Sequence, residues 1–216
     1  MKRTTYQKLL DTFTFPIRAF CLHYEDRRGL SALSTERYDY AAREVKGYCL
    51  DIGCGRHNRF VNEFLNGNGF GIDVFPYEGL SKENVVESLD TLPFEDSRFD
   101  SVTFIACINH VPEPKRDLEL AEAYRVLKPG GNVIITMGNP LAELAVHQVV
   151  HLRDKLLHTK DDLDSERGMD KDEAYFLTDY EIVSRMKKAR FDRIKKKYFF
   201  TQWGLNHLFV GWKPQE

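Results

Sequence analysis

The stretch Tyr48-Cys49-Leu50-Asp51-Ile52-Gly53-Cys54-Gly55 decides the fold. Its first five residues suit a short strand that is covered on both faces of a sheet. Gly53 and Gly55 have no Cβ, so the backbone can turn sharply and a ligand can lie almost against it. Apolar residues at helical spacing follow the turn and predict a helix that begins near His57. A strand, a glycine turn and a helix N-terminus form the nucleotide cradle of α/β proteins.

Two residues around this turn narrow the choice of ligand. Asn58 stands where a dinucleotide fingerprint has its third glycine. Asp51 directly precedes the turn, where its carboxylate would repel a pyrophosphate and attract an ammonium or sulfonium group. The pattern therefore favours a cationic ligand, although a plain tight turn would also explain Gly-x-Gly taken alone.

The composition is that of an ordinary globular protein. A chain of 216 residues predicts a single domain over 1–216, and 42% hydrophobic residues are enough for a real core. The net charge of -2 argues neither for nor against nucleic acid. The four cysteines form no metal-type Cys-x-x-Cys pair, which predicts reduced thiols in a cytoplasmic protein. No apolar run approaches ~20 residues, so we expect no membrane span.

The N-terminal extension, residues 1–33, is rich in aromatic residues. Pro16 is expected to interrupt any helix there. The rings either pack on the edge of the sheet or form a lid over a substrate pocket.

A second strand is predicted at 70–74, after the turn sequence Asn66-Gly67-Asn68-Gly69. It ends in Asp73, about twenty residues beyond the first strand, where an acid meets a ribose in Rossmann-like sheets. One carboxylate can accept hydrogen bonds from both ribose hydroxyls. The alternative is an ordinary turn aspartate. Further strands are predicted at 84–87, 101–105 and 132–137.

Three stretches resemble the class I S-adenosylmethionine-dependent methyltransferases. The glycine strand resembles their motif I, and Leu92-Pro93-Phe94 followed by Phe99-Asp100 resembles a segment of the ubiquinone-biosynthesis-like branch. The run Arg125-Val126-Leu127-Lys128-Pro129-Gly130-Gly131 before an apolar strand is also similar to this family. The resemblance implies an α/β, Rossmann-like three-layer sandwich, with helices on both faces of a seven-stranded, mostly parallel sheet that has one reversed strand.

The resemblance also implies S-adenosylmethionine as cofactor and S-adenosylhomocysteine as product. The positions matching the family's cofactor site are Asp51, Gly53, Cys54, Gly55, Asp73, Val74, Ser88, Leu89, Asp90, Ile105 and Ala106. Ser88 departs from the family, whose members carry an adenine-reading acid there. Glu87 or Asp90 could supply that carboxylate, or Ser88 could bond the adenine through its hydroxyl. Leu89 would offer its backbone N–H and its side chain to the adenine.

The reaction that the resemblance implies is an in-line displacement at the sulfonium methyl. We expect His110, just beyond the fourth predicted strand, to act as general base, and Asn109 to orient the substrate. The alternative is that His110 packs or caps the next helix. Arg56, His57 and Asn58 follow the glycines and could reach the cofactor carboxylate.

An added helix is predicted over residues 141–156, and a polar stretch follows it. The family that the chain resembles usually builds its substrate cover in this region, so the resemblance implies a substrate cover at 140–177. Thr178-Asp179-Tyr180-Glu181 is a capping box that starts a helix, and two closing strands are expected at 193–201 and 207–212. His147 and His151 lie one helical turn apart, and His158 follows seven residues later on roughly the same face. Gln148 replaces the glutamate that a zinc protease needs as its base, so we expect no metal site. The basic cluster at 187–197 is interpreted as a solvated helix end and edge strand rather than an RNA-binding surface.

The aromatic N-terminus and the added helix favour a covered pocket, and hence a small or lipid-like acceptor, while sugars stay open. No Asn/Asp-Pro-Pro-Tyr/Phe sequence follows the fourth predicted strand, which argues against methylation of amino groups of nucleobases or glutamine. That sequence marks enzymes of the family that methylate such groups. A nicotinamide-dependent oxidoreductase and a non-catalytic cofactor-binding protein on the same scaffold are the alternatives. The oligomeric state stays open.

Overall fold

The computed structural model describes residues 3–22, 26–138 and 177–215. The predicted helix at 141–156, most of the predicted substrate cover at 140–177, and His147, His151 and His158 lie outside the described residues.

A mixed six-stranded sheet carries the fold, in the order β2-β1-β3-β4-β6-β5. Its strands are β1 Cys49–Ile52, β2 Gly69–Ile72, β3 Phe99–Ile105, β4 Leu127–Gly138, β5 Asp192–Tyr198 and β6 Asn206–Trp212. β1 runs parallel to β2 and β3, and β3 runs parallel to β4. β6 is antiparallel to both of its neighbours, β4 and β5. The carboxyl ends of β1, β2, β3 and β4 therefore meet at one edge of the sheet.

The seven-stranded prediction is wrong for the described part of the chain. The expected strand at 84–87 is reduced to one parallel bridge between Asp73 and Val85. A 3₁₀ turn over Lys82–Asn84 precedes it, closed by a capping box between Ser81 and Asn84. Because Asn84 Nδ2 also donates to the Gly71 carbonyl (2.7 Å), the chain is held in the turn and only a short piece remains to pair.

Helices cover both faces of the sheet. They are α1 Thr5–Cys21, α2 Leu33–Ala42, α3 Glu113–Val126 and α4 Asp179–Lys188. Side chains of β4 alternate between the two cores: Val133 and Ile135 pack with α3 and α4, whereas Ile134 packs with α2. This alternation is what the period of two in a strand requires, and it makes three layers. The predicted capping box at Thr178 and Glu181 is confirmed at the start of α4.

The prediction that Pro16 interrupts the N-terminal helix is wrong, because α1 continues through it. Proline has no N–H, so the carbonyl of Thr12 loses its helical donor. The indole Nε1 of Trp203 donates to that carbonyl instead, at 2.9 Å. A side chain distant in sequence thus satisfies the acceptor that the proline leaves open.

Candidate active site

The glycine turn after β1 is the floor of the candidate site. Gly53 and Gly55 both have positive φ, 73° and 63°. The N–H groups of Gly53 and Cys54 both donate to the Ile72 carbonyl, at 2.9 and 3.0 Å, which fixes the turn against β2. A Cβ on Gly53 would overlap Cys107 Sγ, whereas a Cβ on Gly55 would meet nothing within 4 Å. The backbone at Gly55 therefore faces open space that a ligand can enter.

The helix predicted from His57 does not form as a regular helix. Arg56–Asn58 is a single 3₁₀ turn, and Phe60–Phe64 is a π-helical turn. His57 and Asn58 both have left-handed backbone angles, with φ of 61° and 46°, which a right-handed helix cannot include. The aligned peptide dipoles of a long helix are thus missing here, and binding rests on individual groups of the turn.

Asp51 lies buried in β1, between Gly71 of β2 and Thr103 of β3. The hydroxyl of Thr103 donates to Asp51 Oδ1 at 2.6 Å. Burial raises the pKa of Asp51 to about 7, against the lowering effect of the Thr103 hydrogen bond, and the nearby Asp73 raises it further. Asp51 is therefore poised to ionise when a cation approaches.

Asp73 follows β2 directly and is also buried. Its Oδ2 accepts the N–H of Gly55 at 3.0 Å, and its Oδ1 accepts the N–H of Phe75 at 3.0 Å. Burial raises the pKa of Asp73, while these two N–H groups act in the opposite direction. The turn and the second strand thus orient one carboxylate, which keeps lone pairs for a ligand. Val74, the next residue, is exposed.

The two carboxylates fit a ligand that carries positive charge and hydroxyl groups. Within the described residues, neither Asp51 nor Asp73 forms a salt bridge. Two buried acids without a cation are costly, and a bound ammonium or sulfonium would offset that cost. The acids, the open backbone at Gly55 and the sheet edge therefore suit S-adenosylmethionine.

The end of β3 closes the site from the other side. Ala106 has a positive φ of 50°, and its N–H donates to Thr136 Oγ1 at 2.9 Å. This bend, which follows Ile105, brings Cys107 against Gly53. The next residues form the 3₁₀ turn Ile108–His110.

The two predicted catalytic side chains are neighbours in that turn. Asn109 Nδ2 and His110 Nε2 lie 3.3 Å apart, and the N–H of His110 donates to the Cys107 carbonyl at 2.8 Å. Both residues are half-buried. The imidazole is thus placed just beyond the strand end that faces the glycine turn.

Ser88 and Asp90, two of the residues predicted to contact the adenine, are hydrogen-bonded to each other. The hydroxyl of Ser88 donates to the carboxylate of Asp90, and Lys115 Nζ lies 3.5 Å from the same carboxylate. Bonding by Ser88, helped by Lys115, lowers the pKa of Asp90. Leu89 packs into the main core, and Glu87 is exposed.

Sequence reasoning missed two residues beside the site. Tyr38 of α2 packs on Phe60, and burial, followed by the charge of Asp51, raises its pKa to about 12. Glu119 of α3 is buried, and burial and then the charge of Asp90 raise its pKa to about 8. The spacing of Tyr38, Ala41, Ala42 and Val45 predicts only a helix and gives no sign of the site. The signal for Glu119 was its place in the sequence, because it directly precedes Leu120, an apolar position of the same helix.

A Gly53→Ala substitution is expected to weaken cofactor binding about tenfold or more. The added Cβ meets Cys107, and alanine at positive φ costs about 1 kcal/mol or more, so the turn must shift. Calorimetric titration with S-adenosylhomocysteine measures the effect. The matched control is Gly67→Ala, which has a similar φ of 77° but no neighbour within 4 Å of the added atom. Equal losses of affinity in both variants would contradict this role for Gly53.

Comparison with known proteins identifies the activity. The family described as "Methyltransferase domain" matches residues 50–135, from β1 into β4. The protein is an S-adenosylmethionine-dependent methyltransferase. The Brucella anthropi protein named ubiquinone/menaquinone biosynthesis C-methyltransferase UbiE is 29% identical to it over 198 residues, which cover 83% of this chain and 73% of that protein. S-adenosylmethionine is therefore the cofactor of this methyltransferase, as predicted.

Solved structures share the fold of this methyltransferase. A Methanosarcina mazei S-adenosylmethionine-dependent methyltransferase aligns with a TM-score of 0.55 and 24% identity, over 81% of this chain and 96% of that one. A Burkholderia thailandensis 1,6-didemethyltoxoflavin-N1-methyltransferase, solved with its substrate and S-adenosylhomocysteine, aligns with a TM-score of 0.56 and 15% identity, over 84% and 78%. Identification as a methyltransferase replaces the oxidoreductase and non-catalytic alternatives.

The described residues contain neither a membrane-spanning helix nor a cluster that could hold a metal ion. None of the helices at 3–22, 26–138 and 177–215 has the length and apolarity to cross a membrane. In the same ranges, no group of three or more His, Cys, Asp or Glu side chains is arranged to hold a metal ion.

Proposed function

We propose that this methyltransferase methylates a ring carbon of a small, lipid-like acceptor of the quinol type. Its relatives from Brucella anthropi and Vibrio campbellii, 29% and 28% identical, are both named ubiquinone/menaquinone biosynthesis C-methyltransferases. The turn after β3 reads Cys107-Ile108-Asn109-His110, which lacks the sequence of amino-group methylation in this family. When bound, S-adenosylmethionine supplies a methyl group that its positive sulfur has already activated.

The cofactor contacts in this proposal follow the geometry of the strand ends. Asp51 faces the cationic methionine part, Asp73 accepts the ribose hydroxyls, and the backbone at Gly55 lies against the ligand. The walls and the adenine contacts come from the residues Cys54, Val74, Ser88, Leu89, Asp90, Ile105 and Ala106. Holding two reactants in line in this way contributes on the order of 7–11 kcal/mol to lowering a barrier.

The single observation that carries the acceptor side is the place of His110. A quinol hydroxyl resembles that of tyrosine, with a pKa of about 10, so it keeps its proton at neutral pH. A half-buried imidazole at the end of β3 can take that proton, and the electron pair then makes the adjacent ring carbon nucleophilic. That carbon would form the new bond to the methyl group as the bond between the methyl group and sulfur breaks and S-adenosylhomocysteine leaves. Loss of the carbon's own proton to solvent then restores the aromatic ring. Asn109, whose Nδ2 lies 3.3 Å from Nε2 of the imidazole, orients the substrate beside it.

His110→Ala is expected to lower kcat by about 10²–10⁴ and to leave the affinity for S-adenosylhomocysteine unchanged. His110→Gln is the matched variant, because it keeps a polar side chain of similar reach but cannot act as a base near neutral pH. Steady-state kinetics of S-adenosylhomocysteine release measures kcat. Calorimetric titration measures the affinity for S-adenosylhomocysteine. If both variants keep wild-type kcat, His110 is not the base.

A substrate panel tests the acceptor class. Release of S-adenosylhomocysteine is followed with short-chain quinols, catechols and primary amines, and the product is examined by NMR for the position of the new methyl group. We expect turnover with quinols and a methyl on a ring carbon. Turnover confined to catechol oxygens or amines would reject the proposal while leaving the cofactor site intact.

A further inference from the structure

The outward side of α1 is apolar. Tyr6, Leu9, Phe13 and Ile17 recur at intervals of three or four residues, and they are 74%, 57%, 82% and 62% exposed. A surface helix of a globular protein ordinarily buries such a stripe and turns its charges to water. Here the stripe faces outward.

Three buried charged side chains of this segment, Arg3, Asp11 and Arg18, face inward and fix its orientation. Arg3 Nη1 lies 2.7 Å from Asp11 Oδ2, and both side chains are buried. Arg18 Nη2 lies 3.2 Å from Glu36 Oε1 of α2, again fully buried, and donates to the Thr201 carbonyl at 3.3 Å. Rotating α1 to hide its apolar stripe would expose or break these pairs, at a cost of several kcal/mol. The outward stripe is therefore a property of the folded chain.

The apolar surface continues onto the turn between β5 and β6. Phe200 and Trp203 are 78% and 59% exposed. Trp203 is tied to α1 by its hydrogen bond to Thr12 and by its ring, 5.5 Å from that of Phe15. We call the combined surface the docking face: Tyr6, Leu9, Phe13, Ile17, Phe200 and Trp203.

The docking face lies at the edge of the sheet that carries the active site. Asn206, the first residue of β6, pairs with Gly138 at the carboxyl end of β4. The turn at 199–205 is therefore on the same edge as the ends of β1, β2 and β3.

The charges around the docking face are positive. The single acid of α1 is Asp11, which is buried, so the exposed side of that helix carries no carboxylate. Lys8 lies beside Arg43, whose charge, after burial, lowers the pKa of that lysine. On β5, Lys195 and Lys197 are exposed along the edge strand that leads to Phe200, and Lys197 Nζ lies 2.6 Å from Glu44 Oε1. The rim therefore complements an anionic surface.

We propose that the docking face binds the headgroup boundary of an anionic lipid bilayer. Aromatic and aliphatic side chains at helical spacing, bordered by lysine and arginine, are the composition that inserts at that depth. A second copy of the chain would present the same rim, so that cations would meet cations. The proposal does not depend on the identity of the methyl acceptor. It would place the mouth of the active site near the membrane surface.

Vesicle flotation of the full chain tests this docking. The vesicles are phosphatidylcholine alone and phosphatidylcholine with phosphatidylglycerol, each at low and high salt. We expect binding to the anionic vesicles, weakened by salt, and a loss of about tenfold or more in Phe13→Glu. The control is Tyr180→Glu on α4, where the side chain is also 82% exposed. It should bind like the wild type, and both variants should keep their affinity for S-adenosylhomocysteine.

Three results would overturn the proposal. The first is a wild-type chain that stays with the lipid-free fraction at millimolar anionic lipid. The second is equal binding by the wild type and Phe13→Glu. The third is a wild-type dimer, measured by light scattering, that Phe13→Glu converts to a monomer without any vesicle binding, which would assign the docking face to a second copy.

Discussion

Replacing Asp73 with alanine will lower the affinity for S-adenosylhomocysteine by about 10²-fold or more. A hydrogen bond to a charged group contributes about 1.5–3 kcal/mol, and this carboxylate is placed to accept two from the ribose. It also holds the glycine turn through the N–H of Gly55, at 3.0 Å. Calorimetric titration measures the loss. Asp73→Asn, which keeps one acceptor oxygen, should lose less.

The control for Asp73→Ala is Asp96→Ala. Asp96 is an exposed acid, and its carboxylate lies 2.7 Å from Arg125 Nη1. Its loss should leave S-adenosylhomocysteine binding unchanged. Unchanged affinity for S-adenosylhomocysteine in a folded Asp73→Ala chain would show that the Asp73 carboxylate does not bind the ribose.

Asp51→Asn will strengthen the fold at neutral and alkaline pH and weaken binding of the cationic cofactor. Burial raises the pKa of Asp51 from 3.8 to about 7. Between these values the unfolded chain gives up a proton that the folded chain keeps, so the free energy of unfolding falls as pH rises. The resulting loss in the free energy of unfolding is complete above pH 7 and amounts to ~4 kcal/mol at most.

Chemical denaturation at a series of pH values measures the effect on stability. Wild type and Asp51→Asn should agree below about pH 4 and diverge up to about pH 7, with the variant more stable. The affinity of the variant for S-adenosylmethionine should fall about tenfold or more, and by a larger factor than that for S-adenosylhomocysteine, which lacks the sulfonium charge. Equal affinity for the cofactor in wild type and variant would contradict the electrostatic role of Asp51.

Glu119→Gln separates the two effects of the Asp51 substitution. Burial raises the pKa of Glu119 to about 8, so its loss should also stabilise the chain above the ordinary pKa of glutamate. It should leave S-adenosylmethionine binding in place. We expect both variants to be more stable than the wild type and only Asp51→Asn to bind S-adenosylmethionine more weakly. That result would show that the loss of binding comes from the Asp51 carboxylate and not from the change in stability.

Local sequence predicted the elements whose hydrogen bonds are satisfied nearby. The strand at 49–52, the turn at Gly53 and Gly55, and the capping box at Thr178 all follow from short patterns. The parallel pairing of β1 with β2 and β3, and of β3 with β4, agrees with the mostly parallel sheet that the resemblance implies.

The failed predictions depended on partners distant in sequence. Pro16 stays within α1 because Trp203 donates to the carbonyl that the proline leaves without a donor. The strand at 84–87 is cut short because Asn84 bonds to Gly71 and closes a turn. Left-handed angles at His57 and Asn58 replace the expected helix, and residue type alone does not reveal them. The inward charges of α1 depend on Glu36 of α2, so its outward stripe could not be read from its own residues.

The most direct measurement is a crystal structure of this methyltransferase with S-adenosylhomocysteine. We predict both ribose hydroxyls within hydrogen-bond distance of the Asp73 carboxylate, the amino-acid part against the backbone at Gly55, and its ammonium group near Asp51. Electron density for the ligand in another crevice, or a ribose turned away from Asp73, would contradict the assignment of the site.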